Sequence, residues 1–284
     1  MILLKALTKA TKSIHLVMFG LTDASILQTL YKKSKEMDVN IFYDPSASTK
    51  IGIGKGKLKP HPIFSKGLMH QKILVIDDEI SFLGSANMTR SSLKMHDNLV
   101  IGFHSPIVAK FLKEKAPNSS GHLKTTVGGQ KVELWLLPDP RGHALTALRE
   151  MIRKANYSIR IGMFTLSHPL LVEELLQAQK RGIDLTIAID FNSGFGASKQ
   201  AIEKLKSNGA KVILSTSSKL LHHKFLYVDE NTLVCGSANW TKAAFYKNHD
   251  CFAVLHNMTS QQKRFMEELW EKIEEDSNNV VYLR

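Results

Sequence analysis

An internal duplication constrains this chain more than its composition does, because a repeated unit must build a repeated piece of structure. Ser13-Ile14-His15-Leu16-Val17-Met18-Phe19 matches Ser158-Ile159-Arg160-Ile161-Gly162-Met163-Phe164, and residues 40–44 match 186–190, each ending in aspartate (Asp44, Asp190). His70-Gln71-Lys72, followed by Asp77, matches His222-His223-Lys224, followed by Asp229. Gly84-Ser85-Ala86-Asn87 matches Gly236-Ser237-Ala238-Asn239, and His96-Asp97 is paired with His249-Asp250. Each half runs in the same order. Apolar residues at helical spacing predict a first helix (residues 3–11; 144–155), and an apolar run predicts a buried strand (14–19; 159–164). A second helix (24–36; 169–181), a strand ending in aspartate (39–44; 185–190), a hairpin carrying the histidine, and a closing strand and helix follow. This alternation predicts an α/β fold of two α/β/α lobes related by a pseudo-two-fold axis, each a mixed sheet flanked by helices. The lobes are expected at 1–115 and 131–284, with the Ser-, Thr-, Gly- and Lys-rich segment 116–130 as linker.

The halves differ in two places. A strand at 132–137 opens the second half and has no counterpart before Leu3. The natural protein is therefore expected to extend beyond Met1, with an export or membrane-anchor segment that would set its compartment. Between the second strand and the histidine, the second half shows a helix and a strand (199–205, 211–214), where 46–62 of the first half reads as a loop.

The repeated motif carries chemistry. Histidine and lysine stand at i and i+2, which on a strand puts both side chains on one face. The glycine of Gly-Ser-Ala-Asn comes 14 residues after each histidine and the asparagine 17 after, which suits a hairpin returning beside it. A lone strand histidine is ordinarily a satisfied imidazole. Two at matched positions, each with the same downstream motif, are not an accident. Phosphoryl transfer needs a nucleophile, a leaving-group acid and fixed positive charge on the non-bridging oxygens. The two histidines can supply the first pair and the lysines and asparagines the third. Neither half holds a full set, so one site is expected between halves. With both motifs in one chain, a monomer suffices.

Other classes are excluded or weakened. The 43% hydrophobic and 23% charged content is that of an ordinary globular α/β chain, and no apolar run reaches the ~18 residues of a membrane span. Residues 1–9 read as an amphipathic helix, not a signal peptide. Cys235 and Cys251 form no C-x-x-C pattern, and the chain has no H-E-x-x-H or acidic calcium loop, so no metal or other cofactor is expected. Gly52-Ile53-Gly54-Lys55-Gly56 is no Walker A sequence. The net charge is +12 and uneven, with 17 basic against 9 acidic residues in 1–115 (+8) and 21 against 17 in the remainder (+4). That excess suits a polyanionic partner.

The paired H-x-K-x4-D and Gly-Ser-x-Asn motifs resemble those of the phospholipase D superfamily, over nearly the whole chain. The resemblance implies a metal-independent, two-step displacement through a phosphohistidine. His70 would be the nucleophile and His222 the acid and then the base. Lys72, Lys224, Asn87 and Asn239 would bind phosphate, with Ser85 and Ser237 in support and Asp77 and Asp229 as structural anchors. Asp97 and Asp250 would orient the imidazoles, as carboxylates do in other histidine sites. Many relatives in the nuclease branch carry glutamate there, so aspartate leans weakly toward the phospholipase branch. Substrate remains a choice between a phospholipid on an anionic membrane surface and a DNA or RNA backbone, with a non-catalytic binding module as a third reading. Residues 46–76 hold six lysines (50, 55, 57, 59, 66, 72) and no acid, and are expected to rim the site. Ile51 and Ile53 among those lysines, and Phe64 as the segment's only large aromatic besides the histidines, favour lipid over stacked bases.

Overall fold

The computed structural model describes residues 2–48, 51, 57–216 and 219–278. The first half runs α1 (Ile2–Lys9), β1 (Ser13–Met18), α2 (Ala24–Lys33), β2 (Asp38–Tyr43), β3 (Leu58–Pro62), β4 (Lys72–Ile76), β5 (Ile80–Gly84), α3 (Arg90–Lys94), β6 (His96–Asp97), β7 (Val100–His104) and α4 (Pro106–Lys115). The second runs β8 (Gly121–Val127), β9 (Gln130–Leu136), α5 (His143–Arg153), β10 (Ser158–Met163), α6 (Pro169–Lys180), β11 (Asp184–Asp190), α7 (Phe191–Phe195), α8 (Lys199–Ser207), β12 (Lys211–Ser215), β13 (Leu220–Leu221), β14 (Lys224–Val228), β15 (Thr232–Gly236), α9 (Lys242–Tyr246), β16 (Cys251–Leu255) and α10 (Ser260–Asn278).

The duplication reappears as two sheets of one topology. The first is ordered β3-β2-β1-β4-β5-β7, and the second β12-β11-β10-β14-β15-β16 with β9 and β8 added beyond β16. In both, the first three strands are parallel and the next is antiparallel to the central one. The sheets are therefore mixed and, with helices on their faces, give the expected two-lobed α/β architecture. Leu3, Leu7, Ile26 and Leu30 of α1 and α2 cover the outer face of the first sheet; α5, α6 and α8 cover that of the second. The inner faces share a single core. It gathers Ile73 and Val75 of β4, Phe225 and Tyr227 of β14, Val108 and Leu112 of α4, and Met266 and Trp270 of α10. Helix α4 packs on β4, Phe225 meets the Trp270 ring, and the two sheets approach each other at β5, β7, β15 and β16. Every residue of β4 and β14 is consequently buried, on either parity. Cys235 and Cys251 are free thiols in this shared core.

Three expectations change. The segment expected as a linker contains β8, which joins β9 through a Gly128-Gly129 turn, both residues at positive φ, and so belongs to the second sheet. Its Ser, Thr and Gly content reflects an alternately exposed edge strand, not a tether. Residues 58–62 are not loop but β3, the equivalent of β12; Pro60 and Pro62 are tolerated because β3 lies at the sheet edge. Finally, β3 runs parallel to β2, so the chain must return along the sheet before β3 begins. Lys57 and Lys59 therefore sit at the end away from the histidines, with Lys59 3.6 Å from Asp38, and they do not rim the site. Lys50, Ile53, Lys55 and the Gly52–Gly56 run lie outside the described residues.

The motif aspartates close the far end of each lobe. Asp77 and Asp229 occupy left-handed positions (φ 55 and 50) in the β4–β5 and β14–β15 turns, a conformation aspartate tolerates better than most residues. Asp77 accepts from the N–H groups of Thr11, Lys12 and Ser13, and Asp229 from those of Asn156, Tyr157 and Ser158. Burial would raise these carboxyls, but the backbone donors outweigh it and hold both below the ordinary carboxylate value. Such stabilisation is present above the unfolded-state pKa of about 3.9 and is lost as pH falls through the folded value. Asp229→Asn should therefore cost about 1–3 kcal/mol in urea unfolding at pH 7. The gap from wild type should close as pH drops below about 4; a gap that persists there would remove this account.

Candidate active site

Two reciprocal backbone straps build the site. His249 N–H donates to Leu68 O, and His70 N–H to His249 O at 2.8 Å. In the other half Leu220 N–H donates to Met95 O, and His222 N–H to Asp97 O at 2.9 Å, within the parallel pair of β6 and β13. Each histidine thus lies just before its strand, not on it, held against the opposite half. Asp44, at the end of β2, helps by accepting Met69 N–H.

The straps bring each imidazole to a residue of the other half. His70 Nδ1 is 2.8 Å from Asp250 Oδ1, and His222 Nδ1 is 3.0 Å from Asn98 Oδ1. Asn98 replaces Asp97 in the expected orienting role. Asp97 instead gives its backbone carbonyl to the strap and turns its carboxylate toward Lys219 at 3.8 Å. The off-by-one pairing of His96-Asp97 with His249-Asp250 hid this. Spacing would have revealed it, since Asn98 and Asp250 each stand 28 residues past their histidine.

Ser85 and Ser237 also take a different place. Both are fully buried. Ser85 Oγ donates to Asn98 Oδ1 at 2.9 Å and Ser237 Oγ to Asp250 Oδ1 at 2.7 Å, so they fix the orienting residues, not a phosphate. The preceding glycines make this possible. A Cβ on Gly84 would lie 2.2 Å from Leu99 O, and one on Gly236 2.1 Å from Cys251 O. Of the two asparagines, Asn87 accepts Gly20 N–H through Oδ1, while Asn239 Oδ1 is buried without a protein partner.

Lys72 and Lys224 are 3% and 2% exposed, and each Nζ donates to the carbonyl of its own motif histidine, at 2.5 and 2.7 Å. Phe19 and Phe164, which end the matched first strands, lie beneath them. Lys72 Nζ is 5.1 Å from the Phe19 ring centre and Lys224 Nζ 4.9 Å from that of Phe164; the same rings meet His70 and His222 at 5.0 and 5.2 Å. Sequence matching had aligned these phenylalanines as strand residues without giving them a place in the site. His96 adds a ring 5.6 Å from His222.

Burial and neighbouring charge shift the titrating groups of the site. Burial pushes Lys72 down to about 8, partly offset by Asp250, and Lys224 falls well below the usual lysine value through burial and its proximity to Lys72. Burial would raise Asp250, yet His70, Lys72 and Ser237 hold it ionised. His70 is lowered by burial and Lys72 despite Asp250; His222, with no carboxylate, is lowered further by burial, Lys224, Lys72 and His70. Burial favours the neutral form of both imidazoles, with Nδ1–H directed at its acceptor and Nε2 carrying the lone pair. The straps set the two motifs side by side, and Lys224, Lys72 and His70 each lower His222. The two buried lysines lie near Asp250, with Asp190 also acting on Lys224, and an anion between them would favour their charged forms.

The family profile described as "Cardiolipin synthase, PLD-like domain" matches residues 3–116 and 148–276. The chain belongs to this phospholipase D-like family. Among its relatives, a mitochondrial cardiolipin hydrolase of Xenopus laevis is 32% identical over 139 residues, which are 48% of this chain and 65% of that protein. A phospholipase D of Rickettsia typhi is 27% identical over 99 residues, 35% of this chain and 48% of that protein. The chain thus spans between about half and two thirds of these relatives' length. The solved phosphatidylserine synthase of Haemophilus influenzae Rd KW20, 12% identical, superposes with a TM-score of 0.72 over 97% of this chain and 83% of its own, so the fold is shared across both lobes.

The Asn98 assignment makes a prediction. Asn98→Asp should give His222 an ionised partner and raise its imidazole pKa by at least about one unit in an NMR titration, while Asp97→Asn should leave it within about half a unit. Equal shifts in both variants would return Asp97 to the orienting role.

Proposed function

We propose that this chain is a phosphodiesterase of the phospholipase D type, acting on a phospholipid headgroup through a phosphohistidine at His70. The asymmetry of the two histidine partners carries this reading. A phosphorylated Nε2 leaves the ring cationic for the lifetime of the intermediate, and Asp250 lies at Nδ1 to balance that charge. A general acid must instead lose its proton readily, which suits His222 beside a neutral amide. Arrival of the phosphodiester anion between Lys72 and Lys224 raises His222 and lets it enter the reaction protonated.

In the first step the Nε2 lone pair of His70 attacks phosphorus. The bond to the leaving oxygen breaks and that oxygen takes the proton from His222. In the second, His222 accepts a proton from water, whose oxygen attacks phosphorus. The phosphorus–nitrogen bond breaks and both imidazoles return to their starting state. An alcohol in place of water would give headgroup exchange. Lys72, Lys224, Asn87 and Asn239 are the groups assigned to the non-bridging oxygens, which gain charge in both steps.

Lipid is favoured over nucleic acid by the lipid-acting names of the relatives and by the apolar residues around the site. The argument from two orienting aspartates lapses with Asp97, and the +12 charge suits either substrate. The decisive experiment is a parallel assay on phosphatidylcholine, phosphatidylglycerol, single-stranded DNA and RNA with EDTA present. Turnover of a phospholipid is expected, with loss of at least about 10³-fold in His70→Ala and accumulation of a mass-detectable phosphoenzyme in His222→Asn. Cleavage of DNA or RNA with every lipid untouched would make the chain a nuclease, and reversible loss in EDTA would end the metal-independent mechanism. Activity should also fall above about pH 8, where Lys72 loses its proton, and Lys72→Arg should move that limb upward. An alkaline limb unmoved by the substitution would take Lys72 out of the phosphate clamp.

A further inference from the structure

The strand directions place both histidines at one end of the paired sheets, where β1, β2, β3, β10, β11 and β12 end and β4 and β14 begin. Large apolar side chains stand exposed at that same end. Phe64, just past β3, is 82% exposed; Leu68, two residues before His70, 44%; Met95, just before β6, 59%; and Phe195, past β11, 63%. Phe191 joins Phe195 with ring centres 4.9 Å apart. None belongs to a hydrophobic core. Single exposed apolar residues are ordinary on a protein surface. Contributions from both lobes around one opening are not, and mark an interaction surface.

Basic side chains predominate at this end, although Asp276 lies near Asp97. Lys66, Arg90, Lys94, Lys242 and Lys247 are exposed there, while Asp44, Asp190 and Asp250 are buried. Asp23 and Asp139 are half-buried and accept helix-end N–H groups, and Asp97 lies beside Lys219. At the opposite end the signs mix, with Asp38, Asp78 and Asp184 exposed among lysines. A groove of ≈ 700 Å³ lined by Ile63, Phe64, Lys66, Tyr246, Lys247 and His249 opens beside the His70 strap. Rings and thioethers set among lysines match the headgroup region of an anionic bilayer, where apolar groups enter the interface and ammonium groups meet phosphates. A nucleic acid would use the lysines but leave Leu68 and Met95 in water.

We propose that the active-site end is a docking surface for an anionic phospholipid bilayer. Phe64, Leu68, Met95 and Phe195 enter the interface, Lys66 and Lys247 bind headgroup phosphates, and the groove receives the apolar part of the lipid whose phosphodiester reaches His70. This rests on the phosphodiesterase reading for the fate of the lipid, but not for the docking itself.

The experiment is co-sedimentation of the full chain with phosphatidylglycerol and with phosphatidylcholine vesicles, alongside turnover of soluble bis(p-nitrophenyl) phosphate. Wild type should bind phosphatidylglycerol vesicles and prefer them to phosphatidylcholine. Phe64→Ser/Phe195→Ser should bind at least about tenfold more weakly, since each loses a buried aromatic ring. The control Phe265→Ser, 53% exposed on α10, which begins beside the far-end turn at Asn231, should bind like wild type. Equal thermal midpoints would show that all three are folded. Unchanged binding by the double variant, equal binding to both lipids, or binding to single-stranded DNA but to neither vesicle would each overturn the docking surface. Vesicle binding without soluble turnover would leave docking standing and remove the phosphodiesterase reading; turnover without vesicle binding would do the reverse.

Discussion

The site depends on two short backbone straps between lobes. Residues 68–70 of the first half bond to His249, and 220–222 of the second to Met95 and Asp97. Remove the straps and each histidine is a residue before a strand, without an orienting partner. With them, His70 reaches Asp250 and His222 reaches Asn98, each across the lobe boundary. The shared core keeps the straps in register, because sliding one sheet over the other would unpack β5 and β7 from β15 and β16. Packing far from the reacting atoms thus sets the positions of the imidazoles.

That geometry turns a symmetric duplication into an asymmetric site. The two halves share topology, the glycine that permits close strand approach, the serine that holds the orienting residue, and a phenylalanine beneath histidine and lysine. They differ at the partner of the imidazole: a carboxylate for His70, an amide for His222. In a buried site holding two lysines, that difference, together with His70 and His96 beside His222, separates the electrostatic fates of the two histidines.

Much of the fold was legible in the sequence. Periodicity located the main helices and strands to within a few residues, and the repeat implied two equivalent sheets. Its failures share a physical cause. Edge strands β3 and β8 are short or polar, because one side faces solvent, so they resemble loops. The lysines at 57 and 59 looked close to the motif because only about a dozen residues intervene, but a parallel neighbour forces the chain to travel the length of the sheet. Asn98 was overlooked because residue type was matched in preference to spacing, and an amide did not look like the partner of a carboxylate.

The sequence by itself determined the residue types of the chemistry: two histidines, two lysines and two asparagines in matched halves, too patterned to be structural, and the α/β sheets that carry them. Those are local properties, written in period and spacing. Which atom touches which was decided only by tertiary structure. The partner of each histidine comes from the opposite half, 180 residues away for His70 and 124 for His222, so it is selected by how two sheets pack and not by anything adjacent in the chain.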